Sequence, residues 1–211
     1  MKTLRGINLG LPKTGTTTLT DALRHAGLTV ADWRIRSGET AHQDLVGQFV
    51  GKMIYTDYYD SGDPLARLGE FDFINEMSCV RHDHSLWPQT DWGVISAIRR
   101  HHPQVKFLLS HRDPAKTANS MMRWNNLGKT RLPRADVPGL PRGFGTTEAE
   151  LARWLEGHFA FVRQVFQGCD SFLEFDIEDG DARDRIADFL GIDLPWWGQS
   201  NTGKPMKLES N

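Results

Sequence analysis

The sequence predicts an α/β fold in which a parallel β-sheet is flanked by helices within a single domain. Three observations lead there. Four short apolar runs of strand length are separated by segments with helical spacing, the alternation that gives parallel strands joined by crossover helices. A chain of 211 residues has the length of one domain with a sizeable core. No internal repeat or low-complexity tract divides it.

The first apolar run, Arg5 to Leu9, reads as a strand, and Thr17 to His25 follows as a helix with Leu19, Ala22 and Leu23 on one face. Phe71 to Ile74 is the second strand. Asp91 to His101 has helical spacing through Trp92, Ile95 and Ile98, and His101-His102 before Pro103 suits a helix C-terminus, where the dipole favours positive charge. Val105 to Leu109 is the third strand. Beyond it Asp113-Pro114 suits a helix start, with Asp as cap and Pro in the first position. Glu148 to Phe166 carries the stripe Leu151, Leu155, Phe159 and Val162. Phe172 to Phe175 is the fourth strand, and Asp181 to Leu190 is a helix through Ile186, Phe189 and Leu190 that Gly191 is placed to end. Two regions break the alternation. Asp32 to Gly69 is mixed and polar, and Asn125 to Thr147 is a long loop rich in Gly, Pro and Arg, of a length that is usually functional or disordered.

Composition removes several function classes. A net charge of −2 gives no general attraction to nucleic acid or to an anionic membrane, so any anion site must be local. Cys79 and Cys169 are too few for a disulfide framework or a metal cluster and are expected to be reduced, packed residues. The N-terminus lacks the apolar run of a signal peptide. No stretch approaches the ~20 apolar residues of a membrane span, so the expected setting is cytoplasmic.

The most informative segment is Gly10-Leu11-Pro12-Lys13-Thr14-Gly15-Thr16-Thr17-Thr18-Leu19, directly after the first strand and opening a helix. Backbone N–H groups of such a turn converge with a helix N-terminus on one point, and the macrodipole favours negative charge there. Gly15 permits close backbone approach, and the threonine hydroxyls add donors. The spacing of Gly10 and Gly15 fits G-x-x-x-x-G-K-[ST], but Thr16 stands where that triphosphate motif needs lysine, and the lysine present is the earlier Lys13.

With its displaced lysine, Pro12-Lys13-Thr14-Gly15-Thr16-Thr17 resembles the 5′-phosphosulfate loop of the sulfotransferases that use 3′-phosphoadenosine 5′-phosphosulfate (PAPS). The resemblance implies a P-loop-like fold with Pro12, Lys13, Thr14, Gly15, Thr16, Thr17 and Thr18 around the phosphosulfate. A second segment, Ser110-His111-Arg112-Asp113-Pro114 through Ser120, resembles the family's 3′-phosphate motif, an arginine at a strand end and a serine eight residues later on the next helix. A guanidinium grips a phosphate through two parallel hydrogen bonds, and a hydroxyl adds a third. The alternative for Arg112 is a surface ion pair with Asp113. The C-terminal Phe172-Leu173-Glu174-Phe175-Asp176 and Ile186 to Ile192 resemble the family's last strand and helix. Gly203 and Lys204, in Asn201-Thr202-Gly203-Lys204-Pro205, are then candidates for the 3′-phosphate, against a plain flexible tail.

The implied reaction is in-line displacement at sulfur by an acceptor hydroxyl or amine, with adenosine 3′,5′-bisphosphate leaving and no metal required. Lys13 would stabilise charge on the leaving phosphate oxygen. A general base is required, and the family places it at differing points, so no motif fixes it. Glu76, ending Phe71-Asp72-Phe73-Ile74-Asn75-Glu76, is the first candidate; His82, Asp83 and His84 follow, and Asp32 and His42 are outsiders. His82-x-His84 alone is a poor metal pair, without nearby cysteine or a second carboxylate cluster. Trp33, Trp87, Trp92 and Trp124 either wall an apolar acceptor pocket or fill the core. Lys129, Arg131, Arg134 and Arg142 either arm a lid, 125–147, for an anionic acceptor or are simply solvated. The acceptor class stays open among small molecules, lipids and carbohydrates. Two other readings stand beside this one: a P-loop kinase or other nucleoside-phosphate enzyme, and a non-catalytic nucleotide-binding module.

Overall fold

A computed structural model describes residues 4–198. In chain order the first half contains β1 (Gly6–Asn8), α1 (Thr16–His25), β2 (Val30–Ala31), α2 (Val50–Ser61), β3 (Phe73–Ile74), β4 (Cys79–Val80) and β5 (Ser85–Leu86). The second half contains α3 (Trp92–His101), β6 (Lys106–His111), α4 (Pro114–Arg123), a short α5 (Leu132–Arg134), α6 (Glu148–Val165), β7 (Phe172–Asp176) and α7 (Ala182–Leu190). Five strands form a parallel sheet in the order β2-β3-β1-β6-β7, and β4 and β5 make a separate antiparallel hairpin. The described residues therefore form a single α/β domain, as the alternating pattern predicts.

Side-chain alternation along the strands feeds both faces of the sheet. Ile7, Leu9, Phe107 and Leu109 pack into one cluster with Met53 and Ile54 of α2, Ile95 and Ile98 of α3, Met121 of α4, and Leu151, Leu155 and Val162 of α6. Phe73, Leu108 and Phe175 point the other way, onto Leu19 and Leu23 of α1 and Ile186 and Leu190 of α7. Burial on both faces is why these strands read as continuous apolar runs.

Helix ends follow local chemistry. Asp91 caps α3 by accepting from the amide of Gly93 at 2.8 Å, and Asp113 caps α4 by accepting from that of Lys116 at 2.8 Å, with Pro114 in the first position. Thr147 and Glu150 form a reciprocal capping box at the start of α6. Gly191, at φ +66°, ends α7 in the left-handed conformation that glycine adopts most readily.

Three features depart from expectation. Region 32–69 contains α2, whose Val50, Met53, Ile54 and Asp57 form a buried face that the intervening Lys52, Thr56 and Asp60 obscure in the sequence. Trp92 is 53% exposed, because α3 turns Val94, Ile95, Ala97 and Ile98 inward instead. Segment 125–147 is anchored: it carries one π-helical turn (Leu127–Arg131) and α5, and it buries Leu127, Leu132, Val137 and Leu140 in the core.

Candidate active site

The chain leaves β1 toward β2 on one side of the sheet and leaves β6 toward β7 on the other. The carboxyl ends of β1 and β6 therefore flank the topological switch point, the place where open α/β sheets bind ligands. A cleft of about 1290 Å³ opens there.

Its floor is a buried polar network that ties the loop 10–15 to three strands. The Asn8 side chain, at the end of β1, donates to Asn75 Oδ1 at 2.8 Å and to Ser110 Oγ at 2.9 Å. Its oxygen accepts from the amides of Gly10 and Ser110, both at 3.0 Å. Thr14 Oγ1 donates to the Leu11 carbonyl at 2.7 Å and lies 3.0 Å from Ser110 Oγ. Asn75 Nδ2 reaches Thr20 Oγ1 of α1 at 2.6 Å. Gly10 has no room for a side chain, since a Cβ would collide with Ser110 Oγ and crowd Thr14 Oγ1. From α6, the buried His158 donates from Nε2 to the Leu9 carbonyl at 2.8 Å. Burial pushes His158 down to about 4, which keeps the ring neutral as that donor.

Above this floor, Gly15 takes φ +95° and opens α1, with Ile177 packed too closely for any side chain there. No side chain caps α1 and no acidic residue stands in its first turn, so the charge complement to its N-terminus must come from elsewhere. Pro12, Lys13, Thr16, Thr17 and Thr18 line the cleft, while Thr14 lies buried beneath as part of the network. Lys13, at φ +73°, holds its ammonium 4.8 Å from the Trp124 ring centroid. Burial and the nearby Arg112 lower its pKa, and Glu76 opposes them.

Arg112 follows β6 and Ser120 lies on α4, and both line the same cleft. Arg112 does not pair with Asp113, whose carboxylate is the α4 cap. Its Nε donates to Glu178 Oε1 at 2.7 Å, and Lys116 Nζ binds the other Glu178 oxygen at 2.7 Å.

Glu76 is 8% exposed, just beyond β3. Its Oε1 accepts from the Ser78 hydroxyl and amide. Burial, reinforced by the charge of Asp32, pushes Glu76 up to about 8 against those bonds and one involving Thr16. Asp32 also lines the cleft and is raised chiefly by its own burial. His82 lines the cleft. His84 does not: it sits in the hairpin, edge-on to Phe49 at 6.1 Å, with Nδ1 2.7 Å from the Asp83 carbonyl oxygen. Asp83 and His42 are exposed and outside the lining. Trp33 and Trp124 wall the cleft, whereas Trp87 is buried edge-on against Trp154. Of the four basic residues in 125–147, Arg131 alone lines the cleft. Gly203 and Lys204 lie outside the described residues.

The matches to known families bear on this geometry. A family model described as a sulfotransferase domain matches residues 6–137. The chain belongs to the sulfotransferase family. No curated protein gives a significant match. The matched span of the sulfotransferase begins at β1 and includes the loop 10–15, Glu76, Arg112 and Ser120. Membership makes the chain a transferase of sulfuryl groups. Among the described residues no helix is long and apolar enough to cross a membrane.

The sequence reading missed Asn8, Asn75, Ser110, His158 and Glu178. The first three had a usable signal, since each is a polar residue at the carboxyl end of an otherwise apolar strand. His158 is hidden within a helical stripe, and Glu178 meets Arg112 only through the tertiary fold.

Proposed function

We propose that this sulfotransferase takes its sulfuryl group from PAPS and passes it to a hydroxyl or amine of a small-molecule, lipid or carbohydrate acceptor. One observation carries the reading. Two cationic anchors, Lys13 after β1 and Arg112 after β6, leave neighbouring parallel strands and line one cleft. That arrangement suits a nucleotide with an anionic group at each end. The loop 10–15 and the start of α1 offer amides, hydroxyls and an ammonium to a 5′-phosphosulfate. Arg112 and Ser120 offer a guanidinium and a hydroxyl to a 3′-phosphate, with Arg112 exchanging Glu178 for it. Thr16 stands where a triphosphate-cleaving loop would carry its lysine.

In the reaction, an O–S or N–S bond forms to the acceptor as the bond from sulfur to the leaving phosphate oxygen breaks, and that oxygen keeps the electron pair. Lys13 neutralises the charge that develops there. Glu76, in its ionised form, takes the acceptor's proton. Asn8, Asn75 and Ser110 hold the loop so that Lys13 and the amides need no rearrangement.

The test is release of adenosine 3′,5′-bisphosphate from PAPS across an acceptor panel. Lys13→Ala should lower the rate by about 100-fold or more, the usual magnitude for loss of a charge-stabilising donor. Near-normal turnover by that variant would refute the role given to Lys13.

A further inference from the structure

The cations of the cleft are unequally matched. Arg24 and Arg36 share Glu39, at 2.7 and 3.3 Å, and Arg112 has Glu178 at 2.6 Å. Lys13 belongs to the donor end in the reading above. Arg81 and Arg131 remain, and among the described residues neither is paired with a carboxylate. Arg81 follows β4, and Arg131 closes the π-helical turn. Arg131 donates from Nε to the Val80 carbonyl at 3.1 Å, and its Nη2 bonds the same oxygen, so one neutral acceptor holds the side chain in place. The Arg131 side chain is partly buried, and among the described residues no carboxylate pairs with its guanidinium. A fold tolerates that cost where an anion arrives to repay it.

The nearby carboxylates do not supply the missing charge. Asp32 and Glu76 lie in the same cleft, but among the described residues neither forms an ion pair with Arg81 or Arg131. Asp83, beside Arg81 in sequence, is exposed and lies 3.6 Å from His84 Nε2. The wall formed by β4 and the π-helical turn is therefore net positive.

We propose that the acceptor carries an oxyanion, a carboxylate, sulfate or phosphate group, that Arg131 and Arg81 bind while its hydroxyl or amine faces Glu76. A guanidinium presents paired donors that match any of these groups. The proposal rests on the sulfuryl-transfer reading above, and it narrows the acceptor from any nucleophile to an acidic one.

The test is calorimetric binding to protein saturated with adenosine 3′,5′-bisphosphate, using probes matched except for charge. The pairs are glucuronate against glucose, and 4-hydroxyphenylacetate against its amide. Glucose 6-sulfate and glucose 6-phosphate separate the sulfate and phosphate arms. At least one acidic probe should bind about tenfold or more tightly than its neutral partner. Arg131→Gln and Arg81→Gln should each erase that preference while leaving bisphosphate affinity unchanged. Arg81 is exposed, so its variant keeps the test decisive if Arg131→Gln fails to fold. No acidic preference in any pair would overturn the proposal. So would a preference that survives the substitutions, or an Arg131→Gln loss that falls equally on the bisphosphate. Failure of the bisphosphate itself to bind counts against the donor reading instead, and the pairs are then compared on the free protein, where the same outcomes decide.

Discussion

Glu76 is the proposed general base. It lies among Asp32, Ser78, Thr16 and Lys13, and its carboxyl is pushed up to about 8 mainly by burial. A carboxyl so raised holds its proton at neutral pH, and once ionised it is a stronger base than an exposed glutamate. With Glu76 as the proposed base, its ionised form would be the active one, so kcat/KM should rise with pH and level off above about 8. Glu76→Gln should remove most of the activity together with that rise. A rate independent of pH between 6 and 9 in the unsubstituted protein would contradict Glu76 as the base. Much at this scale was legible in the sequence. Lys13, Gly15 and the threonines declare themselves because strand, turn and helix start coincide within ten residues. Arg112 and Ser120 declare themselves by spacing. Glu76 was already the first candidate from sequence; that it lines the cleft while His84, in the turn between β4 and β5, does not is visible only in the fold.

Between elements, the decisive contacts are those that hold the end of β1 in place. His158 reaches from α6 to the Leu9 carbonyl, and the Asn8 network joins β1 to β3 and β6. Burial pushes His158 down to about 4, below the ordinary histidine range. Its contribution to stability is thus complete above about 6.5 and lost as the pH falls toward 4. His158→Gln should keep an N–H for Leu9 without titrating. The unfolding free energy of the unsubstituted protein relative to this variant should therefore fall by roughly 3 kcal/mol between pH 7 and pH 4. Comparing the two proteins cancels the opposing titration of Glu76, whose raised pKa favours the folded state at low pH. A difference that does not change with pH would mean that His158 is not held neutral. These links were hidden in the sequence because strands were read for their apolar pattern, which treats Asn8 and Ser110 as interruptions. Helix α2 was hidden for the opposite reason: its buried face is diluted by charged neighbours whose side chains point outward.

For the molecule as a whole, strand order does the organising. Placing β1 and β6 side by side brings together two segments about 100 residues apart, and no local pattern announces that adjacency. The parallel class was legible from alternation; the central position of β1, the hairpin against the cleft and the anchored segment 125–147 were products of packing. The central claim is that one cleft binds a nucleotide by phosphate groups at both ends. The most direct measurement is a thermal-shift comparison of adenosine 3′,5′-bisphosphate with AMP and with ATP plus magnesium, repeated on Arg112→Ala. A ligand at 100-fold its Kd adds about 2.7 kcal/mol, or roughly 5–11 °C for a chain of this size. A shift of that size with the bisphosphate is predicted, much smaller shifts with AMP or with ATP and magnesium, and loss of most of the bisphosphate shift in Arg112→Ala. Equal stabilisation by AMP, or greater stabilisation by ATP with magnesium, would contradict it.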